Sequence, residues 1–586
     1  MNERGARPVR IANCSGFYGD RLSAAREMVD GGPIDVLTGD WLAELTMLIL
    51  WKARSRNADA GFATTFLTQM EQVLGTCVER GIKVVTNAGG LNPAGCADEV
   101  RRLADRLGIG GRVAHVEGDD LMDRIDGLRP HLDHLDTGAP LTGTPVSANA
   151  YLGGWGIAAA LDGGADVVVC PRVTDAALVV GPAAWWWGWS STDWDRLAGA
   201  VAAGHVIECG AQATGGNYSF FGELDPDGRP FPDRPLGFPL AEVDDDGSAV
   251  ITKHPGTGGA VTVGTVTAQL LYEIGPPAYA NPDVVARFDS LTLTDDGPDR
   301  VRIAGCRGEP APPTAKVAVN LEGGYRNRMT FVLTGLNQEA KADWLNTELL
   351  FAIDRFRPVA NDSSVSVTTR FVPAPSDGAD QERSSGLLHV MVSSEDERLV
   401  GRAFSSAAVE LALASIPGFF TTTAPGPAQS YGVYWPALVP ADEIDQVVVA
   451  DDGTCTRIPP APTGPPPDPP IASPAAPDTA PLVIASGTPL GAHFGARSGD
   501  KGGNANLGVW AREPAGYAWL VEHLTSERLR VLLPEAADLD VRRYELANLL
   551  AVNLVLVGYL GEGVASSTAF DPQAKGLGEY LRSRLV

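Results

Sequence analysis

The chain is short of the residues that build cross-linked or metal-knuckle scaffolds. Seven cysteines (Cys14, Cys77, Cys96, Cys170, Cys209, Cys306 and Cys455) are spread over 586 residues, an odd number and nowhere a CxxC pair. This spacing argues against a disulfide framework or zinc ribbon and fits a reducing compartment. Positive charge is also scarce: 46 Lys and Arg against 72 Asp and Glu leave a net charge of −26. Binding to nucleic acid or to an anionic membrane needs a basic face, so neither is expected. Long apolar runs are missing too. Residues 549–560 are a short run interrupted by Asn553, and no membrane span is expected. The opening MNERGARPVRIANCSG has no apolar core of signal-peptide length, which makes a cytoplasmic location the expectation. No GxSxG elbow, kinase set, Walker loop or GxGxxG fingerprint occurs, which removes the best-marked catalytic classes.

Glycine (67) and proline (44) are plentiful. Eleven prolines fall within the 25 residues 457–481, where missing backbone donors favour an extended linker over helix or sheet. The expected organisation is a body over 1–456, a Pro-rich linker over 457–481 and a tail over 482–586. In the body, 1–215 alternates strand runs with helical patterns. Strands are expected at 9–13, 34–37, 83–86, 112–115, 166–170 and 205–209. Over 62–80, Phe62, Phe66, Met70, Val73, Leu74, Cys77 and Val78 recur on one helix face. That alternation predicts an α/β fold with a mainly parallel sheet flanked by helices. An open, doubly wound sheet is preferred to a barrel, because only about six units are visible. Residues 216–456 read as a loop-rich stretch over 215–275 followed by an α+β region. The tail reads as small α+β, with strands at 482–485 and 507–511 and helices at 515–524 and 541–560.

Parallel sheets bind ligands at the carboxyl ends of their strands, and here those ends carry Gly, Asn, Asp, Thr and Arg. Asp20 and Arg21 follow the first strand, and Asp40 the second. Asn87, Gly89, Gly90 and Asn92 follow the third, where Asn92 is a good N-cap and Pro93 a good first helical residue. Arg172 offers a bidentate donor to a carboxylate or phosphate, three residues before Asp175. Asp175 at a helix N-terminus has a structural explanation as well as a catalytic one. Glu208 is a candidate acid or base if buried. On a strand, His205 three residues away would face the other side. Asn217 lies in a Gly-rich loop. Lys253, Gly256, Gly258 and Gly259 form another, whose backbone suits a phosphate. In the tail, Arg497, Asp500, Lys501, Asn504 and Asn506 fall within ten residues with three glycines, a density that folding alone rarely needs. The cluster His131, Asp133, His134 and Asp136 has metal-ligand types without a zincin or deaminase context, so no metal is assigned. The tryptophans 185–187 and 189 suit a subunit or domain interface.

The segments GFYGDR, TGDWLAELTM, TNAGGLNPAGCA, RVTDAALVVGPAAW, HVIECGAQATGGNYSFF, KHPGTGGAVTVGTVTAQLLYEI and GGYRNRMTFVLTGL resemble the acyclic terpene utilisation protein A family over essentially all of the body. ARSGDKGGNANLGVWAR resembles the ferredoxin-like domain found fused to or encoded beside it. The resemblance implies a pathway neighbourhood in which acyclic isoprenoids are degraded as coenzyme A thioesters, with a biotin-dependent acyl-CoA carboxylase nearby. It brings no catalytic residue set. Two readings follow. In the first, the chain is a cytoplasmic enzyme of branched acyl-CoA or carboxylate catabolism, lyase- or hydratase-like and homo-oligomeric. Asp175, Glu208, Asp500 and Lys501 would act on a small anionic metabolite or acyl-CoA, the remaining loop residues would bind it, and any cofactor is unassigned. In the second, it is a non-catalytic scaffold for an acyl-CoA carboxylase.

Overall fold

The computed structural model describes residues 4–224, 234–356, 365–467, 469 and 479–586. Five strands lie side by side at its centre in the order Val9–Asn13, Val36–Gly39, Lys83–Gly90, Val167–Pro171 and Val113–Glu117, all parallel. Antiparallel strands extend this sheet on both flanks. Pro239–Val243, Ala249–Lys253, Arg300–Ala304 and Thr292–Asp295 continue it beyond the first strand. Val447–Val449 and Cys455–Arg457 continue it beyond the last. The two edges are different strands, so the sheet is open and does not close into a barrel.

The central strands are near-continuous runs of buried residues, as expected for strands covered on both faces. One cover is the helix Thr64–Arg80, which buries Phe66, Met70, Val73, Leu74 and Cys77 against the sheet. The helix Pro93–Leu107 starts where Asn92 accepts a hydrogen bond from Gly95 N at 3.0 Å and proline occupies the first turn. All five parallel strands therefore end at one edge of the sheet, and their following loops meet there.

Several expected elements take another form. Residues 205–209 are not a strand: His205 lies in the last turn of the helix Trp194–Ile207, with Glu208 as its C-cap. The small residues of LAGAVAAG let that helix be buried nearly all round, and a Cβ on Gly199 would stand 2.1 Å from Gly247 O. The stretch 541–560 is two antiparallel strands, Val541–Leu546 and Ala551–Leu556, joined by a turn in which Leu550 has φ +51°. Residues 482–485 form no strand. The dense loop 497–506 is the tip of a hairpin between Phe494–Lys501 and Asn504–Ala511. Within 215–275, two strands and the capped helix Val263–Leu270 replace the expected loops. The tryptophans are spent inside the fold. Trp185, Trp186 and Trp189 are buried, and Trp186 and Trp187 donate to Arg7 O and Val243 O at 3.0 and 3.1 Å. Of the linker, residues 468 and 470–478 lie outside the described residues.

The chain divides into two units, Met1–Asn320 with Tyr434–Val564 and Gln573–Val586, and Leu321–Val433 with Ala565–Pro572. In the second, Ser385–Ser394 pairs antiparallel with Ser366–Val372 and with residues 325–334. The helices Gln338–Phe356 and Phe404–Ala414 enclose a core of Phe331, Leu345, Leu349, Val390 and Phe404. The first unit includes the ferredoxin-like domain, a four-stranded antiparallel sheet in the order Phe494–Lys501, Asn504–Ala511, Ala551–Leu556 and Val541–Leu546. Among the described residues, no helix is long and apolar enough to cross a membrane.

Candidate functional site

A cavity of about 990 Å³ opens over the carboxyl ends of the parallel strands. The main sheet contributes Asp20, Asp40, Arg172 and Asp175, and the end of the helix Trp194–Ile207 contributes Glu208 and Cys209. The segment after the helix Val263–Leu270 adds Tyr272, Glu273 and Tyr279. The ferredoxin-like domain closes the site with Asp500, Lys501, Asn504 and Lys575. Two asparagines seat this domain. Asn506 Oδ1 accepts from Glu273 N at 2.7 Å, and its amide donates to Asn553 Oδ1 at 2.5 Å. Asn553 donates in turn to Gly275 O at 2.7 Å. Gly499 is required beneath this contact, because a Cβ there would stand 2.3 Å from the Tyr272 ring.

Arg172 is the fixed cation. It is buried, its Nη1 donates to Asp175 Oδ1 at 2.7 Å, and its guanidinium lies 4.3 Å from the centre of the Tyr151 ring. The Tyr151 hydroxyl donates to Glu44 Oε1 at 3.0 Å, and Lys316 Nζ stands 4.0 Å from the same carboxylate. Burial raises the Glu44 pKa, but Lys316 and Arg172 outweigh it and hold the group ionised below the usual carboxylate range. Beneath Arg172, Asp119 accepts from Asn149 Nδ2 at 2.8 Å and from Arg172 N at 3.2 Å. Burial still lifts Asp119 to about 7.

Three cavity carboxyls are pushed the other way. Asp40 accepts from Asn87 Nδ2 at 2.5 Å and from Leu42 N at 3.0 Å. Its burial, with the charge of Asp175, nevertheless raises its pKa far above the ordinary value. Glu208 is raised far above its ordinary value by burial, then by Asp175 and Glu273. Asp500 is pushed up to about 8 by burial, with Glu273 and Glu44 adding to it. Glu208 Oε1 lies 3.1 Å from His205 Nδ1, because the helix brings residues three apart onto one face. His205 is buried between Tyr279 and Phe288, and burial holds it neutral, with its pKa lowered to about 4. Lys501 is lowered by burial and by Lys316, and its Nζ donates to Glu273 O at 2.7 Å. Burial raises the Cys209 thiol strongly, so it is no thiolate nucleophile. Among the described residues, no group of three His, Cys, Asp or Glu side chains is placed to hold a metal ion.

The residues singled out from the sequence divide into groups. Asp20, Asp40, Arg172, Asp175, Glu208, Asp500, Lys501 and Asn504 line the cavity together. Asn87, Asn92, Arg497 and Asn506 stand behind it: Asn87 holds Asp40, Asn92 caps a helix, and Asn506 anchors Glu273. Arg497 donates to Gln212 Oε1 and lies 4.1 Å from the Tyr272 ring centre. Asn217 has φ +56°, and its carbonyl accepts from Arg497 at 3.5 Å. Gly89 and Gly90 are packed in the third strand, where a Cβ on Gly89 would stand 2.6 Å from Cys170 O. Arg21 pairs with Glu27 at 2.6 Å, away from the cavity lining. Lys253 is likewise outside it, paired with Asp299 at 3.0 Å and donating to Thr257 O. Gly256, Gly258 and Gly259 accompany it, and Gly258 needs its small size beside Arg234 O.

The cavity also uses Glu44, Tyr151, Glu273, Tyr279, Lys316 and Lys575, which sequence reasoning did not select. Glu44 and Glu273 both lie inside segments legible in the sequence, TGDWLAELTM and the end of KHPGTGGAVTVGTVTAQLLYEI. Lys316 and Lys575 come from a strand and a terminal turn with no local signal.

No curated protein and no solved structure matches the chain. Residues 489–586 match the AtuA ferredoxin-like domain, and residues 9–450 match the acyclic terpene utilisation family protein AtuA. The chain thus belongs to the acyclic terpene utilisation family and carries that family's ferredoxin-like domain.

Proposed function

We propose that the chain is an enzyme of acyclic terpene catabolism that moves protons on a branched acyl thioester or a related carboxylate. One observation carries this reading: Asp40, Glu208 and Asp500, whose proton affinities burial raises above the ordinary carboxyl range, face one cavity with Arg172 and Lys501. Groups whose surroundings push their proton affinities apart are the usual basis for assigning acid and base. Here Glu208 is the acid, and Asp175 is the neighbouring carboxyl held against Arg172 at 2.7 Å. Among the described residues, eight carboxyl groups and five cations line the cavity. Burial favours the protonated form of Asp40, Glu208 and Asp500, which lowers the negative charge an anionic substrate meets. The apolar wall from Leu42, Pro276 and Leu438 suits a branched hydrocarbon chain.

The same reading treats 1–456 and 482–586 as parts of one catalytic body joined through 457–481, working in the cytoplasm as a homo-oligomer. The scaffold reading draws on the tryptophan run and the proline-rich linker; of these, Trp185, Trp186 and Trp189 are buried within the fold. Glu208→Gln keeps the shape and removes the acid, so turnover should fall by about 10²–10⁴-fold. Mass spectrometry of ligand retained by the native protein identifies the substrate class. An empty cavity in a protein that co-purifies with an acyl-CoA carboxylase, with Glu208→Gln, Asp175→Asn and Lys501→Ala all leaving pathway flux unchanged, would establish the scaffold instead.

A further inference from the structure

Three lysines line the cavity among the described residues, and they are not equivalent. Lys316 Nζ lies 4.0 Å from Glu44 and Lys575 Nζ lies 3.9 Å from Glu273, so each stands near a carboxylate. Lys501 forms no ion pair among the described residues. Its Nζ donates to a neutral acceptor, Glu273 O at 2.7 Å, and stands 5.2 Å from the centre of the Tyr279 ring. It occupies the last position of the strand Phe494–Lys501, before the tight turn in which Gly502 has φ +64°. Its backbone is thus fixed by the hairpin while its amine points into the cavity.

We infer that Lys501 is a nucleophilic amine that forms an imine with a ketone group carried by the acyl thioester or carboxylate substrate, with Glu208 as the proton donor. This rests on the acid–base reading above and names the substrate as a carbonyl compound. The Nζ lone pair attacks the carbonyl carbon, a C–N bond forms, and the C=O π pair moves to oxygen, which takes the Glu208 proton. The nitrogen returns a proton to Glu208, giving a neutral carbinolamine. Glu208 then protonates the hydroxyl, the C–O bond breaks, and water departs. The products are an iminium ion, a Glu208 carboxylate and one water, and no oxidant or reductant is consumed.

The surroundings favour this use. A lysine becomes nucleophilic when desolvated or set beside another cation. Lys501 is buried, and Lys316 is the foremost charge lowering its proton affinity; Glu273, Glu44 and Glu208 act in the opposite sense. His205, held neutral, adds no positive charge. Glu208 and Lys501 both line the same cavity, which places donor and nucleophile in one pocket.

The test uses the full chain at neutral pH with acetoacetate as a carbonyl probe and sodium cyanoborohydride as the trap, followed by peptide mass spectrometry. The expected result is a reduced adduct on Lys501 in clear excess over any on surface lysines. Lys501→Arg, which keeps the cation, should melt like the parent and give no adduct in that peptide. Trace labelling with acetic anhydride across pH should show Lys501 reacting at lower pH than other lysines. Adducts absent from Lys501, or confined to Lys316 and Lys575, would overturn the inference. If trapping fails while Glu208→Gln still abolishes turnover, the amine role falls and the acid–base reading stands. If Glu208→Gln leaves turnover unchanged, the acid–base reading falls whatever Lys501 does.

Discussion

Asp500 shows what the cavity costs the fold. Its pKa rises from an ordinary 3.8 to about 8, mainly through burial. Between those values the folded chain holds a proton that the unfolded chain has released. Stability from this group is therefore greatest below the unfolded pKa and declines as pH rises through the folded one. Asp500→Asn should leave the melting temperature nearly unchanged at pH near 4 and raise it at pH near 8, as read by calorimetry. The expected gain is on the order of a few kcal/mol. Equal effects at both pH values would show that Asp500 is ionised in the fold. The site was legible at this scale where one loop carries the chemistry, as with Arg172 and Asp175 or Asp500 and Lys501. It was not legible for Lys316, whose strand pattern carries no sign of a ligand loop. Nor was the 3.1 Å approach of His205 to Glu208 visible while 205–209 read as a strand.

At the scale of elements, the seam between the ferredoxin-like sheet and the Tyr272–Gly275 segment matters most. Asn506 and Asn553 satisfy one another and three backbone groups there, and both are fully buried. Replacing either with alanine leaves partners unsatisfied, so each variant should lose about 1–3 kcal/mol in urea unfolding. Amide exchange should speed up at Glu273 before it does in the parallel sheet. Uniform loss without local exchange would mean that the asparagines stabilise the small domain alone. The core helix Thr64–Arg80 is held by its buried apolar face, and Phe66 packs edge-on against Trp41 at 5.3 Å. Phe66→Ala should cost about 3–5 kcal/mol in urea unfolding. Period-3.6 and strand-run patterns found such elements because one buried face sets them. Apolar stretches such as 197–207 and 551–556 defeat the same test, since residues buried all round show no face to read.

For the whole molecule, the opening scarcity of positive charge takes on a local meaning. The chain carries −26 overall, yet its cavity gathers cations on specific partners, and burial raises the proton affinity of several cavity acids. The proline-rich stretch marked a real change in composition, but it could not reveal that the tail shares one unit with the parallel sheet and supplies part of its site. Such contacts join residues more than two hundred positions apart, which no local pattern records. The central claim is that Glu208 is a carboxylic acid at neutral pH and that the cavity uses its proton. Infrared difference spectroscopy of the intact protein against Glu208→Gln tests it directly. The account predicts that the variant loses a protonated-carboxyl C=O band at neutral pH; loss of carboxylate bands alone would contradict it.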